Sequence, residues 1–172
     1  MRDLQIADIA SYVPHRLYCL TSRHQIKYGE RHKLLVNGIS LDDDGSLNIE
    51  FLHDDDLWYS NWMNKVFPLL RPLSDLTKTI KVNGEEFVPL VELAKIALPT
   101  EYELGDFWVL NGYVGSYGGL TFGYTHEGFY ISDRSFHEQC NQLVLFKKLY
   151  EWHFDIYGLI EKGLSLNLND YQ

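Results

Sequence analysis

Three short runs in this chain have residue types that could do chemistry. The first, Asp42-Asp43-Asp44-Gly45, places a carboxylate cluster before a glycine, as in a calcium-binding loop. A calcium loop needs oxygen ligands at fixed positions and a bidentate acid at its end. With Gly45 at the sixth position, Asp42 and Asp44 fall at the third and fifth, but Ser40 takes the first and Phe51 the twelfth. The run therefore reads as a polar hairpin turn. The second is a pair of His-Glu dipeptides. His137-Glu138 is followed by Asn141 where a zinc-protease helix needs its second histidine, and His126-Glu127 meets Gly128 and fails the same test. The third, Gly115-Ser116-Tyr117-Gly118, has Val114 where a nucleophile elbow requires glycine. The glycines between 112 and 123 lack a lysine and P-loop spacing, so they cradle no phosphate. The histidines are dispersed, and His153 lies on an apolar helical face as a core histidine would. No catalytic residue, metal ligand or cofactor is expected, and the chain reads as a non-enzyme.

The charge map is more informative. Asp42, Asp43, Asp44, Glu50, Asp54, Asp55 and Asp56 follow one another with no Lys or Arg between them. They run into Leu57-Trp58-Tyr59, with Trp62 close behind. Carboxylates beside large aromatic anchors suit the recognition of a basic protein surface. The candidate partner-binding residues are thus Asp42, Asp43, Asp44, Asp54, Asp55, Asp56, Trp58, Tyr59 and Trp62. The plainer reading of the same stretch is a solvated loop followed by the start of a core-packing aromatic helix.

The 172 residues carry 15 Lys and Arg against 24 Asp and Glu, a net charge of −9. Such a balance argues against direct nucleic-acid binding through phosphates and against an anionic membrane surface. Residues 1–33 have the opposite balance, with Arg2, Arg16, Arg23, Lys27, Arg31 and Lys33 against Asp3, Asp8 and Glu30. Cys19 and Cys140 form neither a CxxC motif nor a disulfide framework. The first residues lack the apolar run of a signal peptide, and no stretch reaches membrane-spanning length. The expected location is the cytoplasm.

These residues need elements to position them. LQIADIASYV predicts a short helix closing before Pro14. Asp44-Gly45 predicts a hairpin with strands near 33–40 and 47–52. Between Phe67 and Ile96, Pro68 and Pro72 hold an extended segment, and Ser74-Asp75 caps a short helix over LSDLTKTI. Asn83-Gly84 then turns a tight hairpin, and Pro89 opens a helix with Leu90, Leu93, Ala94 and Ala97 on one face. Residues 107–110, 120–124 and 129–131 read as strands of an antiparallel meander of three or four strands. Ser135 with Glu138 fits a capping box for the longest helix, whose apolar face would carry Leu143, Phe146, Leu149, Tyr150, His153, Tyr157 and Ile160. Gly158 would lie inside this helix and Gly163 just past its end. LSLNLNDYQ adds an edge strand. The fold class is α+β: a small β-rich N-terminal lobe, residues 1–66, followed by an α+β lobe, residues 67–172, with one compact domain as the alternative. The second lobe holds a short helix-hairpin-helix unit, the meander and the long C-terminal helix.

The segments LLRPLSDLTKTIKVNGEEFVPLVEL and LYEWHFDIYGLIEKGLSLNLN resemble those of a set of small, uncharacterised proteins of phages and prophages. In that set a run like DIASYVPHRL comes first, a variable β-rich part follows, and the two segments stand in the same order. The motifs carry no known chemistry, so no functional residue is transferred. The resemblance implies a phage or mobile-element accessory protein acting in the bacterial host cell. Joined to the acidic charge map, it leads to an inhibitor of a host nucleic-acid-targeting defence enzyme. Its partner would be a host protein with a basic surface, such as a nuclease or a nuclease–RNA complex. An enzyme whose site is assembled from residues scattered along the chain ranks last, because no pair or triad has motif spacing. Two alternatives stand ahead of that. One is an antirepressor-like nucleic-acid-binding regulator, although Lys78, Lys81 and Lys95 balance Glu85, Glu86 and Glu92 in its would-be module. The other is a virion or assembly component.

Overall fold

The computed structural model describes residues 4–21, 33–41, 43, 47–53, 56–60, 66–98, 108–109, 114–117, 120–125, 127–133 and 137–171. They form an α+β protein of two compact units. The first comprises Met1–Pro72 with His153–Gln172, and the second Leu73–Trp152. The expected split, 1–66 and 67–172, assigns the C-terminal segment to the second lobe. In the structure that segment pairs with strands of the first unit.

In the first unit, helix α1 (Ile6–Ile9) is a single turn opened by reciprocal capping between Gln5 and Asp8. Pro14 does not follow a longer helix but lies inside a 3-10 turn, Val13–His15, where its fixed φ is tolerated. The six strands are β1 (Tyr18–Thr21), β2 (Leu34–Leu41), β3 (Leu47–His53), β4 (Asp56–Ser60), β5 (Val66–Leu70) and β13 (Leu166–Asn167). They pair in the order β13-β5-β1-β2-β3-β4. All neighbours are antiparallel except β13 and β5. The tail thus supplies an edge strand. The β2–β3 hairpin occurs where the apolar runs placed it, and its turn residues Asp44 and Gly45 lie outside the described residues. Ile9, Leu17, Cys19, Leu20, Ile49, Phe51, Leu69, Leu70 and Phe154 are buried in this unit.

The second unit starts with a 3-10 helix, Leu73–Thr77, shorter than the helix expected over LSDLTKTI. Asp75 is buried there and accepts a 2.7 Å hydrogen bond from Lys78 Nζ. Strands β6 (Ile80–Val82) and β7 (Glu85–Phe87) are joined by Asn83 and Gly84 at φ 52° and 91°. A type I′ turn needs positive φ at both positions, which explains why Asn-Gly stands there. Helix α2 (Pro89–Ala97) has its proline in the first turn and buries Leu90, Leu93 and Ala94. A five-stranded antiparallel meander follows: β8 (Trp108–Val109), β9 (Val114–Tyr117), β10 (Leu120–Thr125), β11 (Gly128–Ser132) and β12 (His137–Gln139).

The long C-terminal helix is replaced by something shorter. Glu138, read as part of its capping box, lies in strand β12, and helix α3 spans only Gln142–Glu151. It buries Leu145 and Leu149 and leaves Leu143 81% exposed, so the apolar face differs from the expected one. The helix ends because His153 takes a left-handed φ of 60° and its carbonyl accepts from the Arg71 amide at 2.7 Å. The Asp155 amide in turn donates to the Arg71 carbonyl at 2.8 Å, forming a parallel bridge between Arg71 and Phe154. Pairing with the extension of β5 thus outcompetes helix continuation. Gly158 lies between two turns and Gly163 within one, at φ 64° and 68°. Among the described residues no helix is long and apolar enough to cross a membrane.

Candidate functional site

The sequence-predicted residues fall into three groups. Asp42, Asp44, Asp54, Asp55 and Trp62 lie outside the described residues. Asp43 is exposed in the turn between β2 and β3. Asp56, Trp58 and Tyr59 belong to β4, an edge strand, and not to the start of a helix. Aromatic residues favour a pleated surface, and β3 offers a ladder for the whole length of β4.

The register divides the expected patch. Trp58 stands opposite Phe51 and Tyr59 opposite Glu50, with Asp56 opposite His53. Successive strand positions face opposite sides of a sheet. The Trp58 position therefore shares the side of buried Phe51 and Ile49, and the Tyr59 position shares the side of half-buried Glu50. The two aromatic positions are not brought together on one face. What β4 offers instead is its edge: among the described residues it pairs with β3 alone. An unpaired edge is a row of backbone donors and acceptors able to take an added strand.

A second polar group of the first unit is structural in its chemistry. Tyr12 is buried and its hydroxyl donates to the Phe154 carbonyl at 2.7 Å, while the Ile156 amide donates to that hydroxyl at 3.3 Å. Asp155 is 4% exposed; its Oδ1 accepts from the Leu159 amide and its Oδ2 from the Ile160 amide, both at 2.8 Å. His153 Nε2 lies 2.8 Å from the His15 carbonyl. A carbonyl can only accept, so Nε2 carries the proton and donates. Burial lowers the His153 pKa to about 4 from its ordinary 6.5; the charges of Arg71 and His15 lower it too, and the hydrogen bond to His15 opposes them. His153 is thus a neutral core histidine at pH 7, as its sequence position implied. Both Asp155 oxygens are engaged by the backbone. These groups hold the C-terminal segment in place.

Burial raises the Cys19 thiol far above its usual range, and burial with the Glu138 charge pushes Cys140 up to about 11. Both thiols are protonated at neutral pH and make poor nucleophiles. Among the described residues no cluster of three or more His, Cys, Asp and Glu side chains could hold a metal ion.

The third arrangement was not singled out from the sequence. In the second unit, Phe122 and Phe129 stack with ring centroids 5.7 Å apart, and Phe146 of α3 meets Phe129 edge-on at 5.7 Å. That side of the meander is covered by α3. On the opposite side, Gly123 pairs with Tyr130 and Tyr130 with Gln139, while Thr121 pairs with Ser132 and Ser132 with His137. The Tyr130 ring lies over Gly123: a Cβ there would stand 2.6 Å from Tyr130 Cζ. The His137 ring stacks on Tyr130, with centroids 4.9 Å apart and planes inclined at 27°. Beside them is an open cleft of about 440 Å3 lined by Thr125, Glu127, Tyr130, Ser132, His137 and Gln139. The available signal was the alternation Phe129, Tyr130, Ile131, Ser132, apolar then polar, facing a small residue on the neighbouring strand.

Compared with protein-family models, curated proteins and solved structures, the chain matches none.

Proposed function

We propose that the protein acts by binding another protein, as a phage or mobile-element accessory protein that inhibits a nucleic-acid-targeting enzyme of the bacterial host. The observation that carries this reading is that the acidic run of the sequence, 42–56, ends at Asp56 in β4, which among the described residues pairs with β3 alone, in a chain of net charge −9. Carboxylates at such a place steer a basic surface toward the edge, and strand addition supplies direct backbone hydrogen bonds. The basic groove of a nuclease offers the complementary charge. Inhibition then follows from occupation of that groove and needs no chemistry, in keeping with a neutral His153 and protonated thiols.

The test is affinity capture from a phage-susceptible host lysate with mass spectrometry, run with and without added nuclease. It is paired with the triple variant Asp54→Asn, Asp55→Asn, Asp56→Asn. The expected result is recovery of a basic nucleic-acid enzyme, independent of nucleic acid, weakened by salt and lost with the variant. Recovery of nothing above background, or capture that the triple variant retains, overturns the reading.

A further inference from the structure

The chain contains three Asn-Gly dipeptides, at 37–38, 83–84 and 111–112, and the last lies outside the described residues. Asn-Gly is prone to spontaneous loss of side-chain ammonia, because glycine has no Cβ to hinder ring closure of its amide nitrogen onto the asparagine carboxamide. The first two dipeptides follow the same residue type, Val36 and Val82. As free chain they would react alike, and the fold sets them apart.

Asn37 stands at a register shift in β2, between Val36 and Gly38, which pair with Phe51 and Glu50 of β3. A ladder on both sides fixes the backbone dihedrals that ring closure must change. A Cβ at Gly38 would stand 3.1 Å from Glu50 Oε2, so a carboxylate lies against this glycine and opposes an anionic amide nitrogen. Asn83 and Gly84 instead form the whole loop of the β6–β7 hairpin, and both are exposed. The ladder stops at Val82 and Glu85 on either side of them. Among the described residues, the Asn83 carboxamide and the Gly84 amide have no hydrogen-bond partner. Nothing stands within 4 Å of the place a Gly84 Cβ would take, so water and base reach the nitrogen. Glu85 and Glu86 follow in sequence, but they are exposed and water screens their charge.

We propose that Asn83-Gly84 is a site of spontaneous covalent modification that loosens the β6–β7 hairpin. The Gly84 amide gives its proton to hydroxide, and its nitrogen attacks Asn83 Cγ. The new N–Cγ bond closes a five-membered succinimide. The Cγ–Nδ2 bond breaks, and the leaving nitrogen takes a proton from water and departs as ammonia. Water then adds to one of the two ring carbonyls and reopens the ring. Cleavage at Cγ yields aspartate. Cleavage at the main-chain carbonyl yields isoaspartate, whose main chain runs through the former side chain and is longer by one methylene. No oxidant or reductant takes part. Either product adds a negative charge beside Glu85 and Glu86, and isoaspartate no longer fits a two-residue type I′ turn. The reaction does not depend on the partner proposed above.

The test is incubation of the full chain in mildly alkaline buffer, with and without urea. Peptide mapping by mass spectrometry reads Asn37 and Asn83 separately and distinguishes aspartate from isoaspartate. In buffer Asn83 should convert at least about tenfold faster than Asn37, because the β2–β3 ladder must open before Asn37 reacts. In urea the two rates should converge. Equal rates in buffer, or a difference that persists in urea, overturns the proposal. The converted chain, separated by its added charge, should show faster hydrogen exchange in β6 and β7. Asn83→Gly keeps a residue that accepts positive φ at both turn positions and should hold its protection through the same incubation. A converted chain that exchanges like the fresh one overturns the effect on the hairpin, as does an Asn83→Gly chain that loses protection.

Discussion

The two units share neighbour-to-neighbour pairing in β1–β4 and β8–β12 but differ in how the rest of each sheet is completed. In the second, every strand of the meander pairs with its neighbour in the chain, β8 with β9 through β11 with β12. In the first, β1 pairs with β5 and β5 with β13, across long stretches of sequence. The Tyr12–Phe154 and His153–His15 hydrogen bonds join residues 142 and 138 apart. Local pairing needs only turns and alternation. Distant pairing must offset the entropy of closing a long loop, and a few buried polar contacts specify where the chain ends meet. The first unit should therefore fail at its polar contacts, and the second at the junction of sheet and helix.

The largest expected effect is at Asp155. Asp155→Ala removes the acceptor of two backbone amides, one of them buried, and should destabilise the first unit by about 4 kcal/mol. Hydrogen exchange should show lost protection in β1, β5 and β13 with β9, β10 and β11 retaining theirs. Equal loss in both would show that the units open as one and would break the comparison.

Next comes acid. His153 holds a folded pKa of about 4 against 6.5 for the free group. Between these values the unfolded chain binds a proton that the folded chain lacks. The contribution is complete above pH 6.5, declines as pH falls toward 4, and is fully lost below it. Its size is on the order of 3 kcal/mol. Denaturant titrations from pH 7 to 4 should show this decline, and His153→Asn, which tolerates the left-handed backbone, should flatten it. An unchanged profile in the variant would assign acid sensitivity to other groups.

The smallest effect belongs to the second unit. Gln142, in the first turn of α3, accepts from the Phe129 amide at 2.8 Å and donates to the carbonyls of Phe129 at 2.7 Å and Cys140 at 2.9 Å. Its side chain takes the place of a strand residue where β12 has ended. Gly128, at φ 117°, leaves room for it; a Cβ there would stand 2.3 Å from Gln142 Oε1. Gln142→Ala should cost about 2 kcal/mol, read as a lower urea midpoint with protection lost first in β11 and β12. Loss in β1 and β5 instead would contradict the local character of this junction.

The parts legible in the sequence are those whose cause is local. Asn83-Gly84 sets its turn through two positive φ values, and Pro89 opens α2 because a first-turn residue needs no amide donor. The β2–β3 hairpin and the central meander strands follow from two apolar runs and from alternation. The misread parts have distant causes. Trp58 and Tyr59 suited a helix start until β3 offered a ladder. The spacing of Leu149, His153, Tyr157 and Ile160 suited one helix, yet Tyr157 is 38% exposed while Leu159, off that face, is fully buried. Of the candidate partner-binding residues, the described ones were placed by register, which no single strand's sequence contains.

By itself, then, the sequence determined the α+β class, the Asn83-Gly84 turn, the opening of α2 at Pro89 and the uneven charge, because each follows from the chemistry of adjacent residues. Only the tertiary structure decided that the chain leaves its helix at His153, that Asp155 caps the final turns, and that Tyr130 settles over Gly123 beside His137. Each of those depends on a partner elsewhere in the chain, and the choice between a continued helix and a distant backbone pairing is made by their combined free energy.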